Sequence, residues 1–295
     1  MEQPTKMRSE DPDFRTYLFS KGEAHNTVRT RENTVSDFKA WNSKETVSYE
    51  DIVDYVDYCK SKGNIAHTIR LKIKSLEHYF EYLIKEGKAK QNPAKFVKLK
   101  GGIRKIPHNL LSGEELQELY ACQSTYGLTQ KRNKVLLSLV VFQAVGSSEL
   151  SRIELKDVDL MNGKIYVPGG RTSNGRTLDL KVQQLLLFQD YITNTRPEIL
   201  KKADNKSAYL LVNHGKGKLL SNVISIVLRK LHAAFPKLTS LQQIRQSVIS
   251  EWLKEHGLRK TQYMAGHRYV SSTERYNVDK LEGLKKELNA HYLLK

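Results

Sequence analysis

Long apolar runs are missing from this 295-residue sequence. The longest, Val135 to Val145, is interrupted by Ser138 and Gln143, and a membrane-spanning helix takes about 20 apolar residues. A transmembrane helix is therefore not expected. The opening stretch MEQPTKMRSEDPD lacks the apolar centre of a signal peptide, so secretion is not indicated. Cysteine is scarce as well. Cys59 and Cys122 have neither CxxC spacing nor a neighbouring His pair. They cannot build a zinc cluster and read as reduced thiols in helices of a cytoplasmic protein. No GxxxxGKS/T or GxGxxG loop offers a phosphate cradle, and no repeat of about 20–50 residues is visible.

Acidic residues are also in short supply: 32 Asp and Glu face 49 Lys and Arg, a net charge of +17 with a pI near 9.6. The excess is uneven. Residues 1–100 hold 19 basic against 15 acidic side chains, and residues 101–295 hold 30 against 17. A field of this sign concentrates polyanions. No basic amphipathic anchor or lipidation signal supports a lipid partner, so nucleic acid is the expected one and a membrane is not.

Helical periodicity dominates what is present. After a lead over residues 1–12, apolar residues between Asp13 and Ser43 fit one or two amphipathic helices. Ser48 with Asp51 three residues on predicts a capped helix start, followed by an Ile52, Val53, Val56, Cys59 stripe. Asn64 to Glu86 is the strongest helix, with Ile69, Ile73, Leu76, Tyr79, Phe80 and Leu83 on one face and Arg70, Lys72 and Lys74 among the rest. Residues 13–93 thus read as a small helical domain.

Residues 94–110 read as a basic linker carrying Lys105, Gly101-Gly102 and Pro107. Residues 111–295 read as a second domain. It has an apolar helix at Asn133 to Ala144 and strands at Gly163–Pro168 and Arg176–Leu180 around a GGRTSNG turn. Helices follow at Lys181–Thr193, Asn222–Phe235, Gln242–His256 and Glu282–Leu293. The expected fold is mainly α, in two domains, with a small antiparallel β-sheet in the C-terminal one.

Three late stretches carry chemistry. Arg245 lies in Gln242-Gln-Ile-Arg245-Gln-Ser247, His267 in Met264-Ala-Gly-His267, and Tyr276 ends Ser271-Ser-Thr-Glu-Arg-Tyr276. A tyrosine that attacks a phosphodiester needs its free oxygens neutralised, which an arginine fork does, while an imidazole can bond the phosphate or carry a proton. Each residue alone is unremarkable among 15 tyrosines and 49 basic side chains. The ordered set is what points to a site.

MAGHRYVSSTERY resembles the LGHxxxxxTxxY box of the tyrosine recombinases (phage integrases), and QQIRQS resembles their HxLRHS box. QAVGSSELSRIELKDVDL is similar to their TGLRxSEL entry, and GGRTSNGRTLDL to their KGxxxRxVPL sheet turn. The helical front, ending Asn92-Pro93-Ala94, resembles their core-binding domain, so the likeness spans nearly the whole chain. It implies site-specific DNA recombination without metal or nucleotide cofactor, through a 3′-phosphotyrosyl intermediate. It also implies a duplex DNA partner, a homotetramer joined through the last helix, service to a mobile element, and a cytoplasmic, nucleoid-associated location. Carried over by position, Tyr276 is the nucleophile, Arg245 a phosphate-binding arginine and His267 the box histidine. Arg70, Lys72, Lys74, Lys105 and Arg176 are expected to contact DNA.

Three positions depart from the family. Gly146 stands where the first catalytic arginine belongs, Gln242 replaces the histidine of HxLR, and Arg171 replaces the sheet-turn lysine. Glutamine cannot exchange a proton at neutral pH, and arginine is a poor proton donor. Arg171 can still stabilise phosphate, and spacing does not reveal whether Arg152 or Arg176 refills the vacant place. The alternative is therefore a catalytically impaired relative acting as an accessory or regulatory DNA-binding protein.

Overall fold

The computed structural model describes residues 12–44, 46–99, 109–204, 206–213 and 220–277. The chain divides into two compact units between Arg104 and Lys105, each with its own core. It is mostly helical, with one small antiparallel sheet in the second unit.

The first unit holds α1 (Pro12–Ser20), α2 (His25–Trp41), α3 (Tyr49–Ser61) and α4 (Ala66–Lys85). The periodic stretch after Asp13 forms two helices, parted by a turn in which Gly22 adopts φ 77°. The expected cap at Ser48 is present. Its hydroxyl accepts from the Asp51 N–H, and Asp51 accepts in return from the Ser48 N–H at 2.8 Å. Ile52, Tyr55, Val56 and Cys59 are buried on α3. Val53, placed in that stripe from sequence, is only half-buried, because it lies about 100° around the helix from Ile52. On α4, Leu83 is likewise half-buried while Tyr82 is buried, packing near Phe14 and Tyr17.

The second unit is built around α6 (Leu128–Gln143), preceded by α5 (Gly113–Cys122) and followed by the short α7 (Ser147–Leu150). Residues Arg132 to Val141 of α6 are buried on all sides, which explains the dense apolar run. The two polar residues that interrupt it have partners. Gln143 exchanges side-chain bonds of 2.8 and 2.9 Å with Gln184, and Ser138 accepts from Gln184 at 3.2 Å.

Strands β1 (Val158–Asp159), β2 (Lys164–Val167) and β3 (Arg176–Asp179) pair antiparallel in sequence order, with Val167 opposite Arg176. Two residues make β1 too short to show alternation, so periodicity did not predict it. Helix α8 (Val182–Asp190) passes through a π-turn, Tyr191–Thr195, into α9 (Arg196–Ala203). Pro197 sits in the first turn of α9, where a missing N–H is tolerated. Sequence periodicity predicts an end at Thr193, but the helical path runs on to Ala203.

Helices α10 (Ser221–Ala234), α11 (Leu241–Ala265) and α12 (Ser271–Glu274) complete the described unit. The α11 stretch, expected to stop at His256, continues to Ala265 through a break at Gly257 (φ 74°, ψ 179°). Thr261 bonds the Trp252 carbonyl across that break at 2.9 Å, fixing its angle. The helix expected at Glu282–Leu293, Lys105, and most of the expected linker lie outside the described residues.

Candidate active site

The bend in α11 brings its own two ends together. Arg245, on its second turn, donates from Nη2 to the carbonyl of Ala265 at its end, 2.7 Å away. Ile244, Val248 and Ile249 anchor that first half in the core. Arg245 Nη1 bonds the Ala144 carbonyl and reaches Glu149 Oε2 at 3.0 Å.

Glu149 is the hub. Its carboxylate takes Arg176 Nη1 at 2.7 Å on Oε1, and on Oε2 it takes Arg176 Nη2 at 3.2 Å and the Gly146 N–H at 2.8 Å. Glu149 and Arg176 are 3% and 1% exposed. Burial alone would raise the Glu149 pKa. The two bonds from Arg176, its charge and that of Arg245, and the Gly146 N–H outweigh burial and hold it below the usual carboxylate range. Arg176 also donates to the Met264 carbonyl at 2.7 Å, tying the sheet to the end of α11.

Gly266 closes α11 in the left-handed conformation, φ 67°. A Cβ there would lie 2.4 Å from Arg176 Nη1 and 3.0 Å from the Asn174 carbonyl, so only glycine fits. The Gly266 carbonyl accepts from the Asn174 N–H at 2.9 Å, and His267 bridges to Ser173. The Gly-His pair is thereby fixed against the sheet turn.

His267 Nδ1 lies 2.8 Å from Thr273 Oγ1, and its ring stacks on that of Tyr276 with centroids 5.8 Å apart and 12° between planes. Burial, then the charges of Arg245, Arg275 and Arg176, push its pKa down to about 4. The imidazole is therefore neutral at pH 7. Tyr276 is 1% exposed, its N–H bonded to the Thr273 carbonyl at 3.0 Å. Its phenol oxygen accepts from Arg275 Nη2 at 3.2 Å.

Residues 109–282, more than half of the chain, match the model of the phage integrase family, and residues 12–87 match the phage integrase N-terminal SAM-like domain. The chain belongs to the phage integrase family. This tyrosine recombinase is 26% identical over 252 residues to the tyrosine recombinase XerC of Bacillus pumilus (strain SAFR-032), covering 84% of this chain and 82% of the relative. It is 25% identical over 292 residues to XerC of Bacillus subtilis (strain 168), covering 95% and 94%. In fold it resembles XerH site-specific recombinase bound to palindromic difH substrate, with TM-score 0.68, 17% identity, and 89% of this chain and 78% of that one covered. It also resembles the Tn1549 transposon integrase in complex with a circular intermediate DNA, with TM-score 0.65, 16% identity, and 94% and 98% covered.

The structure brings Tyr276, Arg245 and His267 of this recombinase into one cluster. Gln242 lies one turn before Arg245, exposed and without a side-chain bond among the described residues. Arg171 is exposed on the sheet turn, also without a side-chain bond among the described residues. Arg176 is a correction. Expected to contact DNA, it is instead sealed in the Glu149 ion pair, with no solvent-facing side chain to offer a phosphate. In the first unit, Arg70 and Lys74 are exposed and Lys72 is half-buried; Lys74 pairs with Glu77, and Lys72 lies 4.0 Å from Asp37.

Sequence reasoning missed Glu149, Thr273 and Arg275. The first two stand inside the SEL and T-x-x-Y boxes; the Arg176 partner of Glu149 is 27 residues away, whereas Thr273 meets His267 only six residues off, within one box. Arg275 adjoins the nucleophile, and nothing in its spacing marked it.

Proposed function

We propose that this chain cuts and rejoins duplex DNA through Tyr276, serving integration or excision of a mobile element. The observation that carries this is the convergence of Arg245, a neutral His267 and the Tyr276 phenol in one buried cluster. In the reaction, Tyr276 Oη bonds phosphorus while the bond from phosphorus to the 5′-oxygen breaks. The phenol proton passes to a base, for which the neutral His267 is at hand, and the 5′-oxygen takes up a proton in turn. Attack by a 5′-hydroxyl reverses the step without net loss of bond energy. Because Tyr276 is buried, it must move to meet a phosphate held in a duplex.

DNA partnership draws support from the net charge of +17 and from the DNA-bound neighbours. Arg70, Lys72, Lys74 and Lys105 would hold the backbone rather than read bases. Arg171 would add charge at the phosphate. Synapsis of two sites calls for a homotetramer, docked through the last helix, in a cytoplasmic, nucleoid-bound setting. One observation favours a second reading. Gly146 supplies no side chain where a phosphate-binding arginine is expected, as suits an accessory protein that binds without cutting.

A nicked suicide duplex, selected by the full-length protein from a random pool, separates the two. Recombinase activity leaves protein covalently attached to DNA, and Tyr276→Phe abolishes the attachment. An accessory protein binds the duplex and never becomes attached.

A further inference from the structure

We infer that Arg275 is a catalytic residue, whose guanidinium supplies the scissile phosphate with the positive charge that Gly146 does not. The inference rests on the recombinase reading above and adds a residue to that site.

The positive charges around Tyr276 are not equally available. Arg176 and Arg245 share the Glu149 carboxylate, and Arg245 also gives two bonds to backbone carbonyls. Arg176 is sealed from any ligand. Arg152 is packed beneath the sheet turn, where its guanidinium would sit 2.9 Å from a Cβ at Gly170. Arg171 is on an exposed turn, its side chain without a partner among the described residues.

Arg275 is set apart by its place beside the phenol, although Arg152 also has a buried Nε without a partner. Its Nη2 is 3.2 Å from the reacting phenol oxygen, and its guanidinium lies 5.1 Å from the phenol ring centre. It has no acidic partner among the described residues. Its Nε is buried without a hydrogen-bond partner, a cost that a bound anion would remove. Its charge also acts on His267, whose ring stacks on that of Tyr276. An arginine fork next to the attacking oxygen can donate to a non-bridging phosphate oxygen as the phenol approaches phosphorus.

Gly146 lies beside Arg245. A Cβ there would be 3.9 Å from Arg245 Nη1, with its closest neighbour, Glu149 Oε2, at 3.4 Å. The backbone is extended (φ −80°, ψ 161°), so a side chain fits without strain. A side chain at position 146 would start beside Arg245, so Gly146→Arg tests whether charge lost from Arg275 can be returned to this cluster.

The test measures the rate of covalent attachment to the selected suicide duplex, using full-length protein. Arg275→Ala is expected to slow attachment roughly 100- to 1,000-fold, as for loss of one oxyanion donor, with duplex affinity nearly unchanged. Arg275→Lys should retain more rate than Arg275→Gln. Adding Gly146→Arg to Arg275→Ala should recover most of the loss. A neutral methylphosphonate at the scissile position removes the charge to be balanced, and on it Arg275→Ala and the parent should react within a few-fold of each other. Attachment by Arg275→Ala at the parental rate overturns the inference and leaves the recombinase reading intact. So does an equal defect on both substrates, which would mark Arg275 as holding the phenol in place only. A parent that never becomes attached overturns the recombinase reading, and the inference with it.

Discussion

Glu149 holds two guanidinium groups in a site nearly closed to water, and its loss would strand both charges. Removing one member of a buried pair typically costs about 3–5 kcal/mol. Glu149→Gln should fall in that range by urea denaturation, a larger effect than its modest change in shape suggests. The two glycines beside this network should behave oppositely. Gly266→Ala meets Arg176 at 2.4 Å with φ 67° and should destabilise strongly. Gly146→Ala meets nothing closer than 3.4 Å and should be tolerated; thermal melts of the two variants make the comparison.

The same residues set the acid sensitivity. His267 titrates near 4 when folded and near 6.5 when unfolded, so below about 6.5 the unfolded chain binds a proton that the folded one refuses. Stability should therefore fall as pH drops from 6.5 toward 4. Glu149, held below its ordinary 4.5, acts in the same direction: its contribution, present above 4.5, is lost as pH falls through its folded value. Denaturation curves of the parent and His267→Gln should diverge mainly between pH 6.5 and 4, with the variant flatter. Tyr276, Arg245 and His267 were legible in the sequence because they stand in ordered boxes. Glu149 as a hub was not, since its partners lie 27 and 96 residues away. A charge count likewise cannot tell buried Arg176 from a surface arginine, which is why its assignment to DNA failed.

At the scale of elements, the bend in α11 decides whether a site exists. Gly257 has φ 74° with open space around its missing side chain, so a substitution there meets strain rather than a clash. Gly257→Ala should cost about 1–3 kcal/mol, since this backbone conformation is nearly exclusive to glycine. It should also slow covalent attachment, because straightening the helix draws Gly266 and His267 away from Arg245. Equal attachment rates in the variant and parent would separate the bend from the chemistry. Local signals exposed much of this architecture: the Ser48 cap, the α4 stripe and the Gly-rich sheet turn each follow from a few neighbouring residues. The helix break, the π-turn before Pro197 and the two-residue β1 did not, because tertiary contacts and not periodicity hold them.

For the whole molecule, the excess of 17 positive charges makes DNA binding a matter of counterion release. Affinity for duplex DNA should fall roughly 10³- to 10⁵-fold between 50 and 200 mM salt if about 6–10 phosphates are neutralised. A titration by fluorescence anisotropy reads this slope. A flat response would remove duplex backbone as the main partner. Composition made the nature of the partner legible, while the uneven spread of charge left open which side chains meet it.

Cleavage through Tyr276 would leave the protein covalently attached to its DNA. The parent protein should form a denaturant-resistant adduct with a nicked duplex it has itself selected, and peptide mapping should place the phosphate on Tyr276. Tyr276→Phe should bind the same duplex and form none. Tight binding by the parent with no adduct, or an adduct that survives Tyr276→Phe, would contradict cleavage through Tyr276.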